Sequence, residues 1–197
     1  ERTSILSSLN EEFIPSTLIT VATKKLSESY IPDLNAEDNI ITKKEIKKCL
    51  EKTNPHFLNA VIIRTLPNSE EKKRKNYMKE NSCFFSIEAI SYLVSLGVKH
   101  LLVDTPSVDR LFDDGHLTAH NIFWETEKKK FNPKSRNKTI TEMIYVADSI
   151  NDGQYLLNLQ IPPFVSDAAP SRPILYSINE LFSRRYRKYF YQNCFIE

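Results

Sequence analysis

Glycine is scarce: three residues in a chain of 197, against about 7 % in ordinary proteins. Phosphate-cradling loops need several glycines, and neither a P-loop nor a dinucleotide fingerprint is present. Cysteine is also rare. Cys49, Cys83 and Cys194 are odd in number and far apart, which gives neither a disulfide framework nor a zinc knuckle and fits a reducing, cytoplasmic setting. No apolar run approaches the roughly 18 residues a membrane span needs, and the first residues lack the basic-then-apolar pattern of a secretory signal. Charge of one sign is not in excess: the net value is +2, so nothing pulls the whole chain towards nucleic acid or a membrane. No Gly-x-Ser-x-Gly elbow surrounds any serine. What remains is 41 % apolar and 26 % charged residues, the balance of a globular protein with a sizeable core.

The positive signals concentrate between Gly97 and Glu142. An apolar run, Leu101-Leu102-Val103, ends in Asp104-Thr105-Pro106-Ser107, with Asp109 close behind. Polar and acidic side chains just after a strand are where α/β proteins place their chemistry. The pattern around this stretch predicts a βαβ unit. Residues 59–66 form a continuous apolar strand buried on both faces, Ser86 caps a helix stopped by Gly97, and 100–104 form the next, parallel strand. The strand ends near Arg64-Thr65 and Asp104 then lie side by side at one rim. Elsewhere the sequence predicts a helix over 4–12, a strand over 13–25, and a helix over 42–54 opened by a Thr42/Glu45 capping box. It further predicts strands over 139–147, 155–164 and 174–178, with a loop over 166–173. Residues 67–82 and 125–138 read as charged, solvated loops. Residues 179–197 change character to a basic and aromatic tail.

Several residues are candidates for chemistry. Glu142 shares a strand face with Ile140 and Ile144, and a carboxylate there must be ion-paired, water-facing or metal-bound. His120 is either a hydrogen-bonded histidine at a loop-to-core junction or a metal ligand. His116 reads as solvated, and His56 and His100 as structural or surface residues. Asp104 is placed to orient a ligand. Thr105, Ser107 and Asp109 read as a turn bonding its own backbone. The run 184–190 interleaves Arg and Lys with Tyr and Phe, which suits nucleic-acid stacking, yet no known module surrounds it and nucleic acid is not an expected partner.

The run GVKHLLVDTPSVD (97–109) followed by LTAH (117–120) resembles the second conserved block of the cyclase family, which includes the metal-dependent kynurenine formamidases. IIRTLPNSEEKK (62–73), TITEMIYV (139–146), DGQYLLNLQIPPF (152–164) and DAAPSRPILY (167–176) extend the resemblance over residues 5–178. It implies an α/β fold of the swivelling β/β/α type, a mixed sheet flanked by helices, forming one unit over 1–178. It implies a zinc or manganese ion held by His120 and Glu142, with Asp104, Ser107, Asp109 and Trp124 around the pocket. The implied activity is hydrolysis of the C–N bond of a small-molecule amide, of the N-formylkynurenine type in tryptophan catabolism. The family's other ligands, in a His-x-Gly-Thr-His-x-Asp motif, and its catalytic histidine are absent here. The chain is therefore expected to be an N-terminally incomplete portion with no catalytic residue of its own, and a homo-oligomer through its exposed sheet. The alternative is a non-catalytic remnant of the fold that acts as a binding protein.

Overall fold

The computed structural model describes residues 4–25, 27–126, 130, 132–163 and 165–178, together with the backbone of 189–190 and 194–196. In chain order the elements are β1 (Ile14–Ala22), β2 (Ile40–Ile41), α1 (Lys43–Leu50), β3 (Ala60–Leu66), β4 (Phe84–Phe85), α2 (Ile87–Ser95), β5 (His100–Val103), α3 (Thr118–Phe123), β6 (Thr139–Glu142), β7 (Gly153–Gln160), β8 (Ala169–Ser177), β9 (Tyr189–Phe190) and β10 (Cys194–Ile196). Six strands form a curled mixed sheet in the order β6-β5-β3-β1-β7-β8. β1, β3, β5 and β6 run parallel, and β7 and β8 are antiparallel additions. β10 pairs with both β6 and β8, and β9 with β8. The rest of the basic tail lies outside the described residues.

The parallel half follows from its sequence. β3 opens with the apolar run Ala60–Ile63, and its first six residues are buried. Val61 and Ile63 face the helices, while Ala60 and Ile62 face the inside of the curl. Burying a branched apolar side chain contributes about 1.5–3 kcal/mol, so such a strand is stable only with cover on both sides. Ser86 accepts from the Ala89 N–H and starts α2, and Gly97, at φ +77°, ends it in the left-handed conformation that glycine adopts without strain. β3 and β5 then pair in register, Ala60 opposite His100 and Ile63 opposite Val103. Thr42 caps α1 by accepting from the Glu45 N–H at 3.3 Å. The Lys43 N–H at the start of that helix is taken by Glu28, at 2.8 Å.

Several expected elements differ from the structure, among them the strand expected over 155–164, which runs Gly153–Gln160, and that expected over 13–25, which runs Ile14–Ala22. Residues 4–12 hold only a 3-10 turn, Ile5–Ser7, capped by Ser4. The helix expected to reach Asn54 ends at Leu50, because Asn54 caps a separate 3-10 turn at Pro55–Phe57. The strand expected over 139–147 stops at Glu142, because Met143 takes a left-handed φ of +57°. The last strand of the six begins at Ala169 rather than 174 and contains Pro170 and Pro173. Among the described residues no helix is long and apolar enough to cross a membrane.

Candidate functional site

The break at Met143 decides what Glu142 can reach. Ile140 packs in the cluster between sheet and helices, whereas Ile144 packs in the cluster inside the curl. The expected shared face of Ile140, Glu142 and Ile144 therefore does not exist. Glu142, the last residue of β6, is buried, and its Oε1 accepts the Val108 N–H at 2.8 Å. That bond joins the end of β6 to the turn that follows β5.

The same turn carries Asp109. The Thr105 hydroxyl donates to the Ser107 carbonyl (2.7 Å) and the Asp109 N–H donates to Ser107 Oγ (3.1 Å), so Ser107 shapes the turn as expected. The Asp109 side chain reaches much further. Its Oδ1 accepts from the Tyr30 hydroxyl (2.7 Å) and the Ala119 N–H (2.6 Å). Its Oδ2 lies 2.6 Å from Nδ1 of His120 and accepts the His120 N–H at 3.2 Å. Burial pushes the Asp109 carboxyl up, but the donors of His120, Ala119 and Tyr30 outweigh it and hold the group below the usual carboxylate range. Asp109 thus anchors the start of the six-residue helix α3, where Leu117 in a left-handed conformation provides no side-chain cap.

His120 sits on that helix, 6 % exposed, with Nε2 3.8 Å from Glu142 Oε1. Trp124 lies one turn on, its ring 5.2 Å from the imidazole, and its Nε1 donates to the Lys138 carbonyl at 3.3 Å. The Lys138 ammonium turns back to the Phe123 carbonyl (2.8 Å) and Glu125 (2.7 Å), closing the neck of the loop between α3 and β6. The structure therefore brings together Asp109, His120, Glu142 and Trp124.

Asp104 stands apart from them, which corrects its expected part in orienting a ligand. Its carboxylate accepts from the Thr65 N–H (2.8 Å), the Thr65 hydroxyl (2.9 Å) and the Lys72 ammonium (2.8 Å). The rim pairing of Thr65 with Asp104 is as the βαβ reading requires. Lys72, however, belongs to a run that reads as solvated surface, and its side chain instead turns inward. Burial pushes the Asp104 carboxyl up, against the pull of Lys72 and Thr65. The carboxylate that orients His120 is Asp109. Sequence reasoning also missed Tyr30, which lies 79 positions from Asp109 in a polar connection with no local signal. His116 is exposed and His56 is exposed, while His100 is buried against the Thr139 hydroxyl (2.8 Å).

Two clefts of about 740 and 760 Å³ flank the 3-10 turn Glu70–Arg74 and share Lys72 and Asp104. The second extends to Met143 and Ile144, just past Glu142. His120 and Glu142 line neither. Buried polar groups converge at the histidine–carboxylate cluster, and the second cleft is open space beside it.

The family model described as "Putative cyclase" matches residues 7–110. The chain belongs to the cyclase family. Its fold is similar to two solved relatives, each 20 % identical at TM-score 0.54. One is a "predicted metal-dependent hydrolase from Bacillus stearothermophilus", matched over 84 % of this chain and 64 % of that one. The other is a "Potential Metal-Dependent Hydrolase With Cyclase Activity", matched over 85 % and 66 %. A weaker likeness, 11 % identical at TM-score 0.48, is to an isatin hydrolase bound to the product analogue thioisatinate, over 93 % of this chain and 60 % of that one. This cyclase-family chain spans less than two thirds of the length of each of these structures. No curated protein matches it. The family match ends at Arg110, ahead of His120 and Glu142.

Proposed function

We propose that the protein is a metal-dependent hydrolase of amide C–N bonds, arylformamidase-like, in which His120 and Glu142 hold a divalent ion, zinc or manganese. The observation that carries this reading is the 3.8 Å approach of His120 Nε2 to Glu142 Oε1 in a buried setting, with Asp109 on the other ring nitrogen. A histidine that donates to a carboxylate through one nitrogen and faces a second acid through the other has the donor set of a metal ligand. The fit is partial: a catalytic site needs about three protein ligands, and no group of three or more His, Cys, Asp or Glu side chains placed to hold a metal ion is present among the described residues. The described residues supply two donors, His120 and Glu142.

A bound ion of this kind supplies Lewis-acid polarisation of the scissile carbonyl and activation of water at neutral pH. The chain's own residues perform the supporting work. Asp109 fixes the ring of His120, the Val108 N–H fixes Glu142, and Trp124 excludes water from one side of the imidazole. The adjoining cleft beside Met143 and Tyr145 receives a small amide of the N-formylkynurenine type.

Metal analysis of the purified protein, followed by hydrolysis assays on aryl formamides, tests the reading. His120→Ala and Glu142→Ala are each expected to abolish metal uptake; metal content equal to the parent in either variant overturns the assignment. A second reading, a non-catalytic cyclase-fold binding protein, is favoured by the count of two donors. Absence of metal and of formamide hydrolysis from the protein isolated from its native source would select it.

A further inference from the structure

The curled sheet β6-β5-β3-β1-β7-β8 would by itself end in two bare edges, and a bare edge is a row of unpaired N–H and C=O groups. Neither edge is bare here. β10 lies between them. Phe195 and Ile196 stand opposite Glu142 and Thr141 of β6, and Cys194, Phe195 and Ile196 stand opposite Ser171, Pro170 and Ala169 of β8. The backbone pairing thus runs round in a closed ring. The burial of β6 agrees with this. A strand at a bare edge meets solvent along one side, yet all four residues of β6 are buried, Thr139 and Thr141 at 0 % exposure.

The closure is nonetheless weak. β10 pairs over three residues on the β8 side and two on the β6 side, against about 5–6 in an ordinary strand. Pro170, opposite Phe195, has no N–H to give to the ladder. The Thr141 hydroxyl, in the residue opposite Ile196, is buried without a hydrogen-bond partner. An unmet buried group of this kind costs about 1–3 kcal/mol, and that cost is relieved when β10 leaves and water enters. A short ladder with a missing donor and an unmet hydroxyl holds its strand in place without holding it permanently.

We propose that the seam between β6 and β8 is a strand-binding site, filled by the chain's own residues 194–196 as a detachable clasp. Recognition is by main-chain hydrogen bonds along both edges, the mode by which an extended segment adds to a sheet. The clasp also reaches the candidate site. Glu142 ends β6 directly opposite Phe195, so release of β10 loosens the strand end that carries it. That regulatory consequence rests on the function proposed above; the clasp itself does not.

The test uses S171C in the full chain. Cys194 stands directly opposite position 171. Residues so placed on antiparallel strands have Cα atoms about 4.5–5.5 Å apart, within the span a disulfide bridges. Mild oxidation followed by peptide mapping is expected to show positions 171 and 194 linked within one chain. R172C, on the other face of β8, is expected to show no such link. A link between two chains, an equal link in R172C, or no link in S171C overturns the proposal. Hydrogen exchange of S171C then reads detachment. Amides of 139–142 are expected to exchange several-fold more slowly in the oxidised form than in the reduced form; equal rates mean a fixed strand and overturn the clasp. Manganese titration of the two forms separates the clasp from the metal reading, since thiols are poor ligands for that ion. The oxidised form is expected to hold manganese more tightly than the reduced form. Equal affinity overturns the regulatory consequence. No uptake by either form counts against the metal reading and leaves the clasp standing on the linkage and the exchange.

Discussion

Asp104 and Lys72 form an ion pair at 2.8 Å across the rim of the sheet, their side chains 0 % and 15 % exposed. Removing the ammonium leaves a buried carboxylate served only by Thr65. Lys72→Met is therefore expected to lower unfolding stability by about 3 kcal/mol at pH 7. The pH dependence has a definite sign. Burial holds the Asp104 carboxyl above its ordinary value, so the folded state binds the proton more tightly than the unfolded chain, and stability falls as pH rises from the ordinary carboxylate range through the raised value. Loss of Lys72 steepens that fall. Urea midpoints of variant and parent should converge near pH 4 and separate towards pH 7; a constant gap would show that Lys72 acts through packing alone.

His100 gives the opposite slope. It is 5 % exposed, and burial, followed by Lys99, lowers its pKa from 6.5 to about 4. The unfolded chain takes up a proton between those values and the folded chain does not. Stability is full above pH 6.5 and declines as pH falls towards 4, by about 3 kcal/mol in all. In His100→Gln this decline should be absent, read as urea midpoints at pH 7 and pH 5 that differ less than those of the parent.

Met143 holds a left-handed φ of +57° and is 39 % exposed. Its N–H donates to the Thr105 carbonyl at 2.9 Å, which keeps the backbone in that conformation. Met143→Gly is expected to raise stability by up to about 1 kcal/mol, and Met143→Val, branched at Cβ, to lower it by more than that. Thermal unfolding of the pair checks both; equal melting temperatures would mean that the loop relaxes without cost.

Arg64 is 6 % exposed and donates to the Thr20 hydroxyl (2.8 Å), the Ala147 and Ile150 carbonyls (2.8 and 2.9 Å) and Asp152 (3.0 Å). A lysine ammonium cannot span the same fork. Arg64→Lys should cost about 2–3 kcal/mol through acceptors left unpaired in the interior. Amide exchange should quicken first across 147–152; uniform acceleration through the whole sheet would argue against a local clasp.

The parts of the fold legible in the sequence are those set by short-range rules. Continuous apolar runs gave β3 and β5, Ser86 and Gly97 bounded α2, and Thr42 opened α1. Long-range choices left no local mark. Nothing in Thr-Ile-Thr-Glu-Met-Ile-Tyr-Val signals that Met143 turns left-handed, so the strand reads as longer than it is. Asp109 reads as a turn residue because its neighbours bond locally, and its reach to His120 and Tyr30 exists only once α3 and the 26–39 connection have packed. Lys72 is one of four basic residues in a row, and composition does not distinguish the one that turns inward. His120 and Glu142, both singled out from the sequence, lie 3.8 Å apart, and the carboxylate at the other His120 ring nitrogen is Asp109 rather than Asp104.

The closed neck of the loop between α3 and β6 uncouples two kinds of change. Lys138 bonds to the Phe123 carbonyl and to Glu125, and Trp124 to the Lys138 carbonyl, so the chain leaves α3 and returns to β6 through a fixed gate. Between those anchors, Asn132 and Ser135 add bonds of their own to Glu125. Doubling the length of such a tethered segment costs only about 0.6 kcal/mol in chain entropy. The gate is thus a place where the length between its anchors can change while the chain still leaves α3 and enters β6 at the same points.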